Sequence, residues 1–319
     1  VLTPEAMRFL RSSGIVGIDQ QKEDRPELPT SGGVPVLYGF LVGISVYIGL
    51  ATFVTGATVD IALLLAALAA TFIIGMIGLI DDIHVDRSGT DGTADGQLRV
   101  GLAQRYKFLA PAVAALPLMA VKAGTSTMHV PVAGPVAFGA LYPLVLVPVA
   151  ITCVVNATNM LAGQNGLEAS IGMIGLAGLG VFSAMEGRPE GAAIALPMAA
   201  ALLAFLPWNI VPASILPGDS LTYAVGAAYV STVIVANIEL FGAVVFLPWI
   251  VEAFLKLRSG FSASSLGDLQ PDGTLAPRHD RIYSLTHVLM RFDLTERGIV
   301  LAAAAAEFVL VLAALLLFT

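Results

Sequence analysis

The stretch "IALLLAALAATFIIGMIGLIDD", residues 61–82, decides the fold. Residues 61–80 carry no charge, and an α-helix of about 20 apolar residues, rising about 1.5 Å per residue, crosses the roughly 30 Å hydrocarbon core of a bilayer. Two adjacent carboxylates, Asp81 and Asp82, follow at once. Side chains of that kind at a membrane boundary are costly unless solvated, paired or metal-bound.

The rest of the chain repeats the pattern. Of 319 residues, 57% are hydrophobic and 12% charged, with a mean hydropathy of +0.86, against about 25% charged residues in a soluble domain. An integral membrane protein is expected, all-α and polytopic. Nine apolar runs qualify as spans, at about 34–54, 60–80, 107–122, 137–155, 168–186, 192–209, 221–236, 238–256 and 299–318. The reading is one membrane domain over 1–319, with a polar N-terminal segment at 1–33 and a large polar loop at 257–298. The single cysteine, Cys153, lies in an apolar run and reads as a small core residue, so neither a disulfide framework nor a Cys-based metal site is expected.

Cationic side chains set the orientation. Arg8, Arg11, Lys22, Arg25, Arg87, Arg99, Arg105, Lys107, Lys256, Arg258, Arg278, Arg281, Arg291 and Arg297 fall on one side, and Lys122 and Arg188 on the other. The positive-inside rule makes the first side cytoplasmic. The same side holds residues 1–33, 81–106, 156–167, 210–220 and 257–298, which carry nearly all the residues capable of chemistry. With nine spans the C-terminus lies outside; a further span before Val1 restores an even number.

Asp81 and Asp82, with Asp86 nearby, are hard oxygen donors of the kind Mg²⁺ shares with substrate phosphates, or else a solvated acidic helix end. Asp91 and Asp95 sit in a Gly- and Thr-rich insert and read as a soluble loop. Asp219, in "PASILPGDSLTY", reads by itself as a helix N-cap, and at the depth of Asp81 and Asp82 it becomes a third carboxylate. Lys107 opens a span and can snorkel or hold a phosphate as a point charge. Arg278, His279, Arg281, His287 and Arg291 form either a lipid-headgroup patch or an anion-binding lid. In "NATNMLAGQNGLEAS", residues 156–170, the sequon at Asn156 falls on the cytoplasmic side, away from glycosylation machinery. Asn156 and Asn159 share a helix face, Gly163, Asn165 and Gly166 turn the chain, and Glu168 enters the first turn of the next helix. Carboxylates, neutral amides, a lysine and a His/Arg loop at one membrane face fit phosphoryl transfer. A secondary transporter is the rival from another class, and it expects ionisable residues near the midplane; a lipid-binding scaffold leaves the ordered motifs without a reason.

"GLIDDIHVDR", "NATNMLAGQNGLEAS", "PWNIVPASILPGDSLTY" and "PRHDRI", in this order, resemble the polyprenyl-phosphate N-acetylhexosamine-1-phosphate transferases (glycosyltransferase family 4), most closely the archaeal and eukaryotic UDP-GlcNAc:dolichyl-phosphate branch. The resemblance runs from about Gly17 to Arg281. It implies ten membrane helices, the first preceding Val1, and transfer of GlcNAc-1-phosphate from a UDP-sugar to dolichyl or polyprenyl phosphate, with release of UMP. A phospho-MurNAc-pentapeptide or other UDP-sugar substrate is the alternative within the family. It further implies Mg²⁺ (or Mn²⁺) held by Asp219 and Asn159, with Asp81, Asp82 and Lys107 at the reacting phosphates. Asn165 and Glu168 fall to the nucleotide pocket, and Arg278, His279 and Arg281 to the loop over the diphosphate and sugar; Asn156, on the face of Asn159, is expected to face the reaction centre as a substrate-binding amide or to brace the turn. Asp280 departs from that pattern, standing where the eukaryotic branch has a basic residue. Expected partners are the UDP-sugar, the lipid phosphate and membrane lipid, with a homodimer as an open option and no nucleic acid. The expected location is the plasma membrane of a prokaryote, archaeal by the resemblance, with the active site facing the cytoplasm.

Overall fold

The computed structural model describes residues 2–83, 104–130 and 134–319. Asp86, Asp91, Asp95 and the rest of the 87–101 insert lie outside them. A polar lead of helix α1 (Leu2–Ser12) and hairpin β1 (Val16–Ile18)–β2 (Glu27–Pro29) enters α2 (Gly33–Leu50), followed by α3 (Ile61–Ile83). Short helices α4 (Gln104–Leu109), α5 (Pro111–Ala114) and α6 (Leu116–Ala120) come next, broken where Pro111 and Pro117 withdraw backbone donors. Hairpin β3 (Thr127–Val130)–β4 (Gly134–Ala137) leads to α7 (Val147–Met160), α8 (Leu167–Met185), α9 (Pro189–Asn209) and α10 (Gly218–Ala236). Then come α11 (Glu239–Val245) and α12 (Leu247–Leu257), hairpin β5 (Gly267–Leu269)–β6 (Leu275–Pro277), α13 (Leu285–Met290) and α14 (Glu296–Phe318).

Seven helices among the described residues are long and apolar enough to cross a membrane, rather than the nine runs expected. The run at 107–122 becomes the short apolar stretch Lys107–Ala120. The run at 238–256 becomes two helices bent by 62°, with Pro248 in the first turn of α12. The run at 137–155 is displaced along the chain, to Tyr142–Met160. The all-α expectation holds for the spans, while the polar segments add three two-stranded antiparallel hairpins.

Burial does not follow hydropathy. The span containing α10 has the lowest mean hydropathy of the seven, 1.3, and is 89% buried, whereas α14 at 2.7 is 28% buried. Lipid accepts apolar side chains as readily as a protein core does, so the centre of the bundle is free to carry Ser, Thr and Tyr whose polar atoms find partners there. Accordingly α10 packs against α3, α7 and α9, with Tyr223 and Tyr229 buried along it. Glu307, in α14, is a carboxylate inside the run expected at 299–318, buried against α8 and without a hydrogen-bond partner among the described residues.

Long-range hydrogen bonds gather the polar segments at one end of the bundle. Gln21 Nε2 donates to the Gly163 carbonyl (2.7 Å) and its Oε1 accepts from Gly267 N–H (2.8 Å). Gln164 Nε2 donates to the Ser265 carbonyl (3.1 Å), and Leu216 N–H to the Pro29 carbonyl (2.8 Å).

Candidate active site

The site grows from the meeting of the C-terminal end of α3 with the N-terminus of α10. Asp82 Oδ1 accepts from Asp219 N–H (2.7 Å), and its Oδ2 accepts from Ser220 N–H (3.2 Å) and Ser31 Oγ (2.9 Å). A helix N-terminus has orphan donors and partial positive charge, and the α3 carboxylate satisfies both. Two glycines permit the approach. A Cβ on Gly78 would lie 2.6 Å from the Asp219 backbone, and one on Gly218, at φ +68°, would lie 2.3 Å from Asp82 Oδ2. Asp219 is therefore not the N-cap; Pro217 occupies that position and Asp82 does the capping from another helix.

With Asp82 engaged by α10, Asp81 and Asp219 are left facing Lys107. The Lys107 ammonium pairs with Asp81 and stands 3.6 Å from Asp219 Oδ2. Both carboxylates are buried, and Lys107 lines a cavity of about 750 Å³ together with Asn156, Asn159, Tyr223 and Lys256. Asn159 Oδ1 accepts from Thr222 Oγ1 (2.7 Å), and Tyr223 is within hydrogen-bond reach of the same amide. Asn156 Nδ2 donates to the carbonyls of Phe108 (3.1 Å) and Thr152 (2.8 Å), which ties α4, and so Lys107, to α7.

Asn165 and Glu168 are engaged elsewhere, the first in a network with the N-terminal segment and the second within its own turn. Asn165 Nδ2 donates to Asp19 Oδ2 (2.6 Å) and its N–H to Glu296 Oε1 (2.7 Å). Lys22 pairs with Glu296 and stands 3.4 Å from Asp19. Glu168 Oε1 accepts from Gly163 N–H (2.8 Å), closing the turn. These groups fasten the N-terminal segment to the 161–168 turn, and neither Asn165 nor Glu168 lines the cavity.

The basic loop also stays outside the cavity. Arg278 Nε donates to Asp268 Oδ1 across the β5–β6 hairpin (2.9 Å), Arg281 is exposed, and His279 packs edge-on to Tyr283 and 5.7 Å from the His287 ring. His287 is fully buried. Burial foremost, and then the charges of Lys256, His279 and Arg291, push its pKa down to about 4, with a Ser264 hydrogen bond opposing.

Sequence reasoning missed Ser31, Thr222 and Tyr223, and the Glu252–Lys256 pair. For Thr222 and Tyr223 the signal was their spacing three and four residues after Asp219 on one helix. For Glu252 and Lys256 it was two charges one turn apart inside an apolar run.

Asp81, Asp219 and Asn159 offer oxygen donors, which suit a hard divalent cation. No group of three or more His, Cys, Asp or Glu converges among the described residues. A cation here needs substrate oxygens and water to fill its shell, which is how Mg²⁺ commonly binds.

A second concavity, of about 620 Å³ and almost entirely apolar, runs between α7, α10 and the bent α11–α12 pair. Tyr142 and Glu239 line it as well, joined by a hydrogen bond of 2.7 Å. Phe261 lines both this groove and the polar cavity. Cys153 also lines the groove and is exposed, correcting the expectation of a core cysteine. The face of α7 it occupies is left uncovered by the described residues.

A family model described as glycosyl transferase family 4 matches residues 64–237. A protein from Saccharolobus solfataricus, provisionally named a UDP-N-acetylglucosamine–dolichyl-phosphate N-acetylglucosaminephosphotransferase, is 33% identical over 293 residues, covering 91% of this chain and 84% of its own length. A protein from Sulfolobus acidocaldarius with the same provisional name is 28% identical over the same shares. A phospho-N-acetylmuramoyl-pentapeptide-transferase from Staphylococcus epidermidis is 28% identical over 234 residues, covering 70% of this chain and 67% of its own length.

Proposed function

The chain belongs to glycosyl transferase family 4, and from that premise we propose that it transfers GlcNAc-1-phosphate from a UDP-sugar to dolichyl or polyprenyl phosphate, releasing UMP. The observation that carries the reading is the junction at Phe261, where an apolar groove open to lipid meets a cavity holding Lys107 beside two carboxylates. An amphiphilic phosphate needs both surfaces side by side.

In the proposed reaction an oxygen of the lipid phosphate attacks the sugar-linked phosphorus, the P–O bond to UMP breaks, and UMP leaves with that electron pair. Lys107 holds phosphate oxygens as charge develops on them. Asp219 and Asn159 are the residues that would hold Mg²⁺. When bound, the ion supplies charge neutralisation across the diphosphate. Asp82 orients α10 and so positions Asp219, which leaves Asp81 as the carboxylate of the pair that faces the cavity lysine. The second pKa of a phosphate monoester is near 6, so little proton removal is needed at neutral pH. Asn165 and Glu168 shape the turn after Asn159, and the Arg278–Arg281 loop is a further source of cations for the sugar diphosphate.

Taken with the seven long spans, the bent pair and Lys107–Ala120 make nine crossings in this reading. The cavity then faces the cytoplasm, on the side where cationic residues are concentrated. Purified protein given Mg²⁺, a short polyprenyl phosphate and UDP-GlcNAc releases UMP; UDP-MurNAc-pentapeptide is the comparison substrate. Absence of UMP from every UDP-sugar with folded protein sinks the reading, and turnover unchanged by EDTA removes the metal from it.

A further inference from the structure

Resting on the acceptor being a lipid phosphate, we propose that Lys256 is a substrate-binding residue that holds the phosphate of the polyprenyl acceptor. α12 carries two faces with separate work. Ile250, Ala253, Phe254 and Leu257 line the apolar groove, at the i, i+3, i+4, i+7 spacing of one helix face. Lys256, on the adjoining face, lines the polar cavity. Lys256 thus stands where a chain lying in the groove brings its head into the cavity.

The ammonium is buried, with 6% of Lys256 exposed. One donation goes to the Ala263 carbonyl (2.7 Å), and Glu252 Oε1 stands at 3.7 Å, beyond ordinary hydrogen-bond length. Glu252 in turn accepts from Leu285 N–H (2.7 Å), Ser284 Oγ (3.0 Å) and Ser265 Oγ (3.5 Å). Its charge is therefore shared with the 257–298 loop and does not close Lys256 into an exclusive pair. An ammonium has three protons, so Lys256 retains donors for a phosphate oxygen. Lys107 lines the polar cavity from α4, on a helix that contributes no residue to the groove, and in this proposal it serves the other reactant.

The test compares wild type with Lys256→Gln, which keeps a donor for Ala263 without the charge, and Lys256→Arg, which keeps the charge. UMP release is followed while each substrate is varied, and binding of farnesyl phosphate and farnesol is measured without UDP-sugar. For Lys256→Gln, loss of one charge-assisted hydrogen bond raises the KM for polyprenyl phosphate about tenfold or more. Farnesyl phosphate affinity falls in parallel, farnesol binding and the KM for UDP-GlcNAc stay unchanged, and Lys256→Arg recovers most of the loss. An unchanged lipid KM overturns the proposal, as does a rise confined to the UDP-GlcNAc KM, which would make Lys256 a nucleotide contact. Equal loss of farnesol and farnesyl phosphate binding would make it a structural staple and also overturns it. If wild type releases no UMP from any UDP-sugar, the transferase reading falls, while the farnesyl phosphate measurement still decides the role of Lys256.

Discussion

Replacing Asp82 by Asn tests whether the second carboxylate of the pair works by holding a helix. The side chains are nearly the same size, so packing against Gly218 is preserved. Asn keeps one oxygen, which can still accept from Asp219 N–H (2.7 Å in the parent). Its NH₂ then faces Ser220 N–H, which loses its acceptor, and the negative charge leaves the α10 N-terminus. An unsatisfied buried donor costs about 1–3 kcal/mol, and a charge at a partly buried helix end contributes about 0.3–2 kcal/mol. Together these give about 1.3–5 kcal/mol, or a protection loss of about 10- to 4000-fold. The assay is amide hydrogen exchange of the protein in detergent, read at residues 218–222, alongside UMP release. Exchange in the first turn of α10 accelerates by that factor, and turnover falls because Asp219 is no longer held. Asp81→Asn leaves exchange at 218–222 near wild type while still lowering turnover. Wild-type exchange in Asp82→Asn would refute the capping argument outright.

Other perturbations separate the remaining roles. Asn159→Ala and Asp219→Ala each remove turnover by about 100-fold or more, as expected for groups stabilising transition-state charge, with UMP release as the readout. Asn156→Ala breaks the bridge from α7 to the Phe108 carbonyl and lowers turnover by about fivefold, the equivalent of one hydrogen bond of roughly 1 kcal/mol, with monodispersity in detergent unchanged. Gly218→Ala places a Cβ against the Asp82 carboxylate at a backbone angle that disfavours side chains, so thermal stability and turnover fall together. His287, with its pKa pushed down to about 4 from an ordinary 6.5, takes up a proton in the unfolded chain before it does so in the folded protein. Its contribution to stability is complete above about 6.5 and is lost as pH falls towards 4. Thermal unfolding at pH 7.5 and 4.5 should show a smaller gap in His287→Phe than in wild type.

The membrane class and the location of most spans follow from local information, because an uncharged run of the right length can satisfy its backbone only as a helix in lipid. The run before Asp81 and the run that follows the Asn-rich turn, Leu167–Met185, needed nothing else. Asp81, Asp219, Lys107 and Asn159 were legible as one site because orientation placed them at one face. Motif order alone carried the family. Tertiary structure decided which carboxylate does what. The bonds of Asp82 to Ser31 and Asp219 join residues 51 and 137 positions apart, set by the packing of α3 on α10 and by no local pattern. It likewise sent Asn165 into the Asp19–Glu296 network and turned Glu168 onto Gly163 N–H, and set the groove where α12 bends from α11. Hydropathy could not foretell which helix forms the centre, since it measures transfer out of water and lipid and protein interior score alike. Only packing told them apart, placing the least apolar span, α10, at the core and leaving α14 largely facing lipid.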